Sequence, residues 1–353
     1  MKRKHTGKDI AEFIINNVED NPKSISNIVS KKFGVSRQSV HRHLMKLISD
    51  GFIKAEGNTR NRQYTLLPLL EKRFSFHISP DLEDDKFWHQ NILPLLKDSK
   101  ENVLDICHYG FTEMMNNVIE HSEGSSGIAA LCLFPNKIKL WVMDNGIGIF
   151  KKITAGLHLE DERHAVLELT KGKLTTDKAH HTGEGIFFTS RMFDEFNIMS
   201  GSLCFSHTQG TEENWLLQNE KPTLGTLVIM SINNQSSRTI NKVFDKYSAA
   251  SDDYSFSKTH VPVALARYGN EQLVSRSQAK RVLARLEPFK EVFLDFHGVA
   301  YIGQAFADEI FRVFKNEHPN IEIVWARASK EVENMIKRVM TDSPDRNKFK
   351  LNL

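Results

Sequence analysis

The chain has 353 residues, too many for one ordinary core and enough for two or three domains that each bury their own apolar surface. Hydrophobic residues make up 40% and charged residues 26%, a globular balance that excludes wholesale disorder. Net charge is only +3, but residues 1–67 hold 13 Lys and Arg against 6 Asp and Glu, so a basic head precedes a mildly acidic body.

That asymmetry points to a polyanionic partner for the head. No apolar run approaches the roughly 18 residues of a membrane span, and the first residues lack the apolar stretch of a signal peptide. Cys107, Cys132 and Cys204 stand too far apart for a disulfide framework or zinc-ligand spacing. Three small buried hydrophobes in a reducing, cytoplasmic protein are the expectation, with no membrane partner.

In chain order, Ile10, Phe13, Ile14 and Val18 recur at helical spacing, and a second helix is expected from Ser24 to Phe33. Gly34 ends it, and Ser36 caps a third helix carrying Val40, Leu44, Leu47 and Ile48, which stops at Asp50-Gly51. Two short strands around a polar turn follow, at 52–55 and 62–66. This order resembles a winged helix-turn-helix over about 60 residues. The resemblance implies that the third helix enters the major groove of DNA through Ser36, Arg37, Gln38, Ser39, His41 and Arg42, with Arg60 and Arg62 of the hairpin near phosphates. Winged helices also serve as protein-docking modules; the local charge favours DNA.

From about Phe74 to Asn233 helices and strands alternate. Glu113, Asn117 and His121 are spaced i, i+4, i+8, which puts all three on one helical face. Alone, such a stripe is weak evidence, because solvated polar faces are far commoner than metal sites. Asn117 offers the hard oxygen that Mg²⁺ asks for, and Glu113, one turn earlier, is placed to polarise a water or a hydroxyl. A strand from Lys137 to Val142 runs into Asp144-Asn145-Gly146-Ile147-Gly148, a carboxylate and two glycines that let backbone approach a flat ring. Gly183-Glu184-Gly185-Ile186 opens a helix whose free N–H groups suit a phosphate chain. Gly225-Thr226 begins a further strand.

These four pieces in this order resemble the GHKL superfamily of gyrase-type, MutL and histidine- or serine-kinase ATPase domains. The resemblance implies an α/β sandwich with helices on a mixed sheet. It also implies that Asp144 and Thr226 meet adenine, Asn117 holds Mg²⁺ and Glu113 acts as base. His121, Gly146, Gly148, Gly183 and Gly185 would complete the ATP site. The stretch between the glycine motifs would be a lid, where Lys171 and Lys173 are candidates to approach the phosphates, with a solvated basic loop the equal alternative. His180-His181 are adjacent and poorly placed to chelate one ion. His89–Pro94 has the His–Pro spacing of a histidine-kinase phosphoacceptor but lacks its acid and its Asn or Thr.

Residues 236–257, rich in Ser, Asn and Asp, read as a linker. Beyond it, strands at 260–267, 291–296 and 321–325 alternate with helices at 275–286, 305–314 and 332–339, which implies a small α/β layer. The segment Val292–Phe306 resembles a STAS-like domain of the DUF4325 type, the fold of anti-sigma-factor antagonists. Where those proteins carry Asp-Ser-Ser-Gly, this chain has Gly303-Gln304-Ala305-Phe306, so no hydroxyl stands at the phosphoacceptor position. Asp295, Gln304 and Asp308 are candidate polar residues there, with a capped loop and a solvated helix the equal explanation.

The expected architecture is therefore α/β and multidomain: a winged helix-turn-helix at 1–67, a GHKL domain at 74–235, a linker at 236–257 and a STAS-like domain at 258–345. The expected function is an ATP-binding, ATP-hydrolysing regulator with ATP and Mg²⁺ as cofactors. Its implied partners are DNA through residues 1–67 and a protein docked on the STAS-like domain. A homodimer is compatible with this reading. An anti-sigma-factor-like serine/threonine kinase acting on a separate partner is the alternative.

Overall fold

The computed structural model describes residues 6–58, 61–174, 183–210, 213–248, 256–267 and 271–341. Arg60, the 175–182 stretch with His180 and His181, and residues 249–255 of the expected linker lie outside the described residues. Mixed α/β structure with three separate sheets makes the protein multidomain. No helix among the described residues is long and apolar enough to cross a membrane.

The head packs three helices, α1 (Gly7–Asn17), α2 (Ile25–Phe33) and α3 (Arg37–Ser49), against the antiparallel pair β1 (Ile53–Glu56) and β2 (Gln63–Leu66). Local chemistry sets each boundary. Thr6 and Asp9 form a capping box on α1, Gly34 takes a left-handed φ of 63° after α2, and Ser36 Oγ accepts the Ser39 N–H to start α3. Ile14, Val18, Ile25, Val29, Val40 and Leu44 fill its own small core. The head meets the body where Lys137 pairs with Glu19 and Asn136 Nδ2 donates to the Ile15 carbonyl.

The body begins at β3 (Leu70–His77), four residues earlier than the pattern suggested, because β3 pairs along its full length with β4 (Ser126–Leu133). Between them come α4 (Asp84–Phe87), a π-helical turn (Trp88–Ile92) and the long α5 (Glu101–His121). Next in the chain are β5 (Lys137–Asp144), α6 (Ile149–Leu157), α7 (Glu162–Lys171), α8 (Gly185–Met192), β6 (Glu195–Thr208) and β7 (Glu213–Asn233). Strand order is β3-β4-β5-β7-β6. A mixed sheet was expected, but every neighbouring pair is antiparallel. The physical reason is that β7 folds back between β5 and β6, so the two strands joined by the helical crossover never pair.

In β5, Ile138, Leu140 and Val142 are buried and alternate with half-buried Lys139, Trp141 and Met143, the signature of a strand with one face on the core. Asp144 is the next inward position, and helix α5 packs across that face.

Residues 236–257 are not simply a linker. They contain α9 (Ile240–Tyr247), started by Thr239 Oγ1 accepting the Lys242 N–H, with Val243 and Tyr247 buried. Its aromatics pack against Phe187 and Phe188 of α8. The C-terminal layer is a parallel sheet in the order β10-β9-β8, built from β8 (Lys258–Pro262), β9 (Glu291–Asp295) and β10 (Glu322–Ala326). Strand β8 gives way to a 3₁₀ turn at Val263, earlier than expected. The crossovers are α10 (Arg276–Leu283) and a continuous helical stretch of α11 (Gln304–Asp308), a π-helical segment and α12 (Lys315–Glu317); α13 (Lys330–Thr341) closes the layer. One continuous core runs from Phe76 of β3 to Val339 of α13, and the head core stands apart from it.

Candidate functional site

A cavity of about 430 Å³ opens between α5, the end of β5, the start of α6 and the start of α8, a size that suits a small-molecule ligand. The stripe on α5 faces it: Glu113, Asn117 and His121 line the cavity together, as do Asp144, Gly148, Gly183, Gly185 and Thr226. These residues therefore converge on one cavity although they come from four segments of the chain.

Asp144 is only 4% exposed. Its Oδ1 accepts the Gly146 N–H at 2.8 Å and the Thr226 N–H at 3.3 Å. Burial pushes the Asp144 carboxyl above the usual range, and the two backbone donors oppose that shift. No described residue donates to its Oδ2. Thr226 Oγ1 in turn accepts the Ile149 N–H at 3.0 Å, which ties β7 to the first residue of α6.

Two glycines explain the tightness of this corner. A Cβ on Gly146 would stand 2.0 Å from the Ser122 carbonyl, so the 144–148 loop lies directly on the end of α5. Gly146 does not line the cavity; it shapes it. A Cβ on Gly185 would stand 1.9 Å from Glu113 Oε2, which places that carboxylate against the first residue of α8. The Glu184 side chain does not cap α8, whose first turn borders the cavity at Gly185 and Ile186.

Asn116 is tied to α4 through Asp84, at 3.2 Å, whereas the Asn117 carboxamide has no hydrogen bond among the described residues. Asn117 is thus the one of the pair free to ligate a metal. Tyr109, Lys152 and Glu184 also line the cavity and were not singled out from the sequence. Lys152 donates to the His121 carbonyl at 2.7 Å and to Glu123 at 3.0 Å. It stands four residues after Gly148, one helical turn beyond the glycine motif, and that spacing was the available signal. Burial first, and then the Glu113 and Glu184 carboxylates, push the Tyr109 phenol upward, so it stays protonated.

Lys171 and Lys173 do not belong to this site. Lys171 is 1% exposed and donates to Glu168 at 2.6 Å and to the Arg281 and Ala284 carbonyls at 3.0 and 2.8 Å. Burial pulls its pKa down and Glu168 opposes the shift. Those carbonyls are at the end of α10, where a cation is stabilised by the helix terminus. Lys173 lies 5.5 and 5.1 Å from the ring centroids of Phe256 and Phe289 and donates to the Pro288 carbonyl. Both lysines point at the C-terminal layer because α7 is docked there, with Thr259 Oγ1 donating to the Lys171 carbonyl at 2.6 Å.

In that layer Asp295 ends β9 and is buried. It receives both Arg327 Nε and Nη2, and the His297 N–H at 3.0 Å. Its bonds anchor the strand end to the loop after β10. Gln304 is exposed, and Asp308 is held by Arg312, whose hydrogen bond keeps the Asp308 carboxyl below the usual range. None of the three lines a cavity with the α5–α8 site.

Residues 278–333 match the STAS-like domain of unknown function DUF4325. No curated protein matches the chain. The STAS-like domain thus comprises most of α10, β9, β10 and the first residues of α13, and its α10 supplies the carbonyls that hold Lys171.

In the head, Ser36, Arg37, Gln38, His41 and Arg42 are exposed on the first turns of α3, and Ser39 is half-buried. Ser36 is committed to the helix cap. Arg62 lies over the Tyr64 ring, 6.0 Å from its centroid. The cluster Asp85, His89 and His108 brings three ligand-type atoms within 4.8 Å of one another. There Asp85 Oδ1 lies 2.9 Å from His108 Nε2, and His89 Nδ1 lies 2.9 Å from the Asp85 carbonyl.

Proposed function

We propose that the α5–α8 cavity binds ATP with Mg²⁺ in the manner of a GHKL ATPase, and that nucleotide occupancy controls DNA binding by the winged-helix head. The observation that carries the reading is the convergence of Glu113, Asn117, Asp144, Thr226 and the start of α8 on one cavity of nucleotide size. Asp144 Oδ2 would accept the exocyclic amine of adenine, and the α8 amides would meet the phosphates.

Electrostatics support a divalent ion. The described lining carries carboxylates at Glu113, Glu120, Asp144 and Glu184 against the single ammonium of Lys152. A triphosphate entering that field needs a cation between, and Asn117 is the free hard oxygen on the lining. When bound, Mg²⁺ would neutralise charge developing on the transferred phosphoryl group. Glu113 would orient and deprotonate the attacking water. The STAS-like domain, lacking a hydroxyl at Ala305, would act as a docking module rather than as a phosphoacceptor.

Phosphate release from the purified chain, with and without DNA, tests the reading. Turnover that depends on Mg²⁺ and disappears in Glu113→Ala is expected; no release under any condition would remove hydrolysis from the proposal. A run with label in the γ-phosphate separates the alternative, since a serine/threonine kinase would move the label onto a separate protein.

A further inference from the structure

A second cavity, of about 260 Å³, lies on the far end of α8 and is lined by Arg191, Arg238, Lys242 and Lys246 together with Gln209 and Ser237. We propose that it is a binding site for the phosphoryl group of a small molecule, distinct from the α5–α8 cavity. Four cations converge there, and no carboxylate is among the described lining residues.

The guanidinium groups show what is missing. Arg191 is 4% exposed, its Nη1 donates to Ser190 Oγ at 2.6 Å and its plane lies over Phe187, yet its Nη2 is buried with no acceptor among the described residues. Arg238 donates through Nη2 to Asp194, while its Nε is likewise buried without an acceptor. Buried charged donors left unsatisfied are costly, so two of them at one cavity call for an acceptor with several oxygens. Guanidinium forks match phosphate oxygens in plane and spacing. Asp194 cannot fill the role, because its other oxygen accepts the Asn233 N–H.

Shape selects the source of the phosphate. Arg191 is recessed beneath α9, whereas Lys242 and Lys246 are exposed at the rim. A rigid duplex reaches rim lysines but not a guanidinium buried in a pocket, so a small phosphorylated ligand fits and a DNA backbone does not. The carbonyl end of α8 disfavours an anion, and the four cations outweigh it.

The test is titration calorimetry of the full chain with pyrophosphate at low ionic strength in the presence of EDTA, where the acidic α5–α8 cavity repels the probe. One saturable site is expected, weakened by at least about tenfold in the exposed-residue variant Lys242→Ala/Lys246→Ala and unchanged in Asn117→Ala. Arg191→Gln should also lose binding, and the double variant keeps the result readable if that substitution disturbs folding. Absence of saturable binding, or equal affinity in the double variant, overturns the proposal. Stoichiometric displacement of pyrophosphate by a short DNA duplex overturns it too, because the surface would then be part of a DNA track. Loss of binding in Asn117→Ala would assign the probe to the other cavity and have the same effect.

Discussion

Asp144 ends the inward-facing series of β5, so the strand that buries Ile138, Leu140 and Val142 also buries a carboxylate. Its pKa is raised in the folded chain, mainly by burial. The sign follows: the ionised form costs stability in full at pH values above the folded pKa, and that cost fades as pH falls from the folded pKa to the unfolded value, below which it is gone. Asp144→Asn is therefore expected to raise the melting temperature of the ligand-free protein at neutral pH, because the carboxamide oxygen still accepts from Gly146 and Thr226. The same substitution should weaken ATP binding by about 10- to 100-fold, the worth of a hydrogen bond to a charged group. A thermal scan beside a nucleotide titration reads both; a lower melting temperature would sink the account. Affinity for ATP should also begin to fall at a higher pH than an ordinary carboxylate would give. Glu113→Gln is a complementary case: nucleotide binding should persist while phosphate release drops by about 100-fold or more.

At the level of elements, the loop after β5 and the helix α7 have opposite lessons. Gly146 sits where any Cβ would meet the Ser122 carbonyl, so Gly146→Ala must push the loop off α5. The expected result is a destabilised chain with little nucleotide affinity, checked by denaturation and by the same titration. Helix α7 was expected as part of a lid over phosphates, and instead its Lys171 is buried against α10. Lys171→Met leaves Glu168 buried without its closest cation and should cost about 3–5 kcal/mol of stability. A urea melt would show it, and an unchanged midpoint would mean the pair contributes nothing. The stripe on α5 and the glycine motifs were legible because helical spacing and backbone freedom are local properties. Lys171 was not, since its carbonyl partners lie 110 and 113 residues away. Helix α9 could have been read: Ile240, Val243, Phe244 and Tyr247 follow helical spacing, but the surrounding Ser, Asn and Asp masked it. The placement of β7 between β5 and β6 is a choice of strand pairing that no local pattern encodes.

For the whole molecule, the separation of cores is decisive. The head has its own, and the body shares one with the STAS-like domain. Calorimetry should accordingly resolve two unfolding transitions and not three, and Mg-ATP should shift only the larger. The head touches the body through Glu19–Lys137 and Asn136, near the turn between β4 and β5. If nucleotide controls DNA binding, the signal has to cross that joint, and fluorescence anisotropy on a DNA duplex should differ with and without Mg-ATP. Identical affinity in both states would sever the coupling.

The shared core has a consequence for how such a chain can change over time. Phe187 and Phe188 of α8 pack on Phe256, which packs on Phe289 ahead of β9. The helix that opens at the candidate nucleotide cavity is therefore glued by its rings to the STAS-like domain. A tail borrowed from another protein could not be spliced on at residue 257 like a bead on a string. It would leave a row of bare aromatic rings in water, and its carrier would clump before any new partner could be tried. New specificity for this tail has to arise by rewriting its outer surface in place.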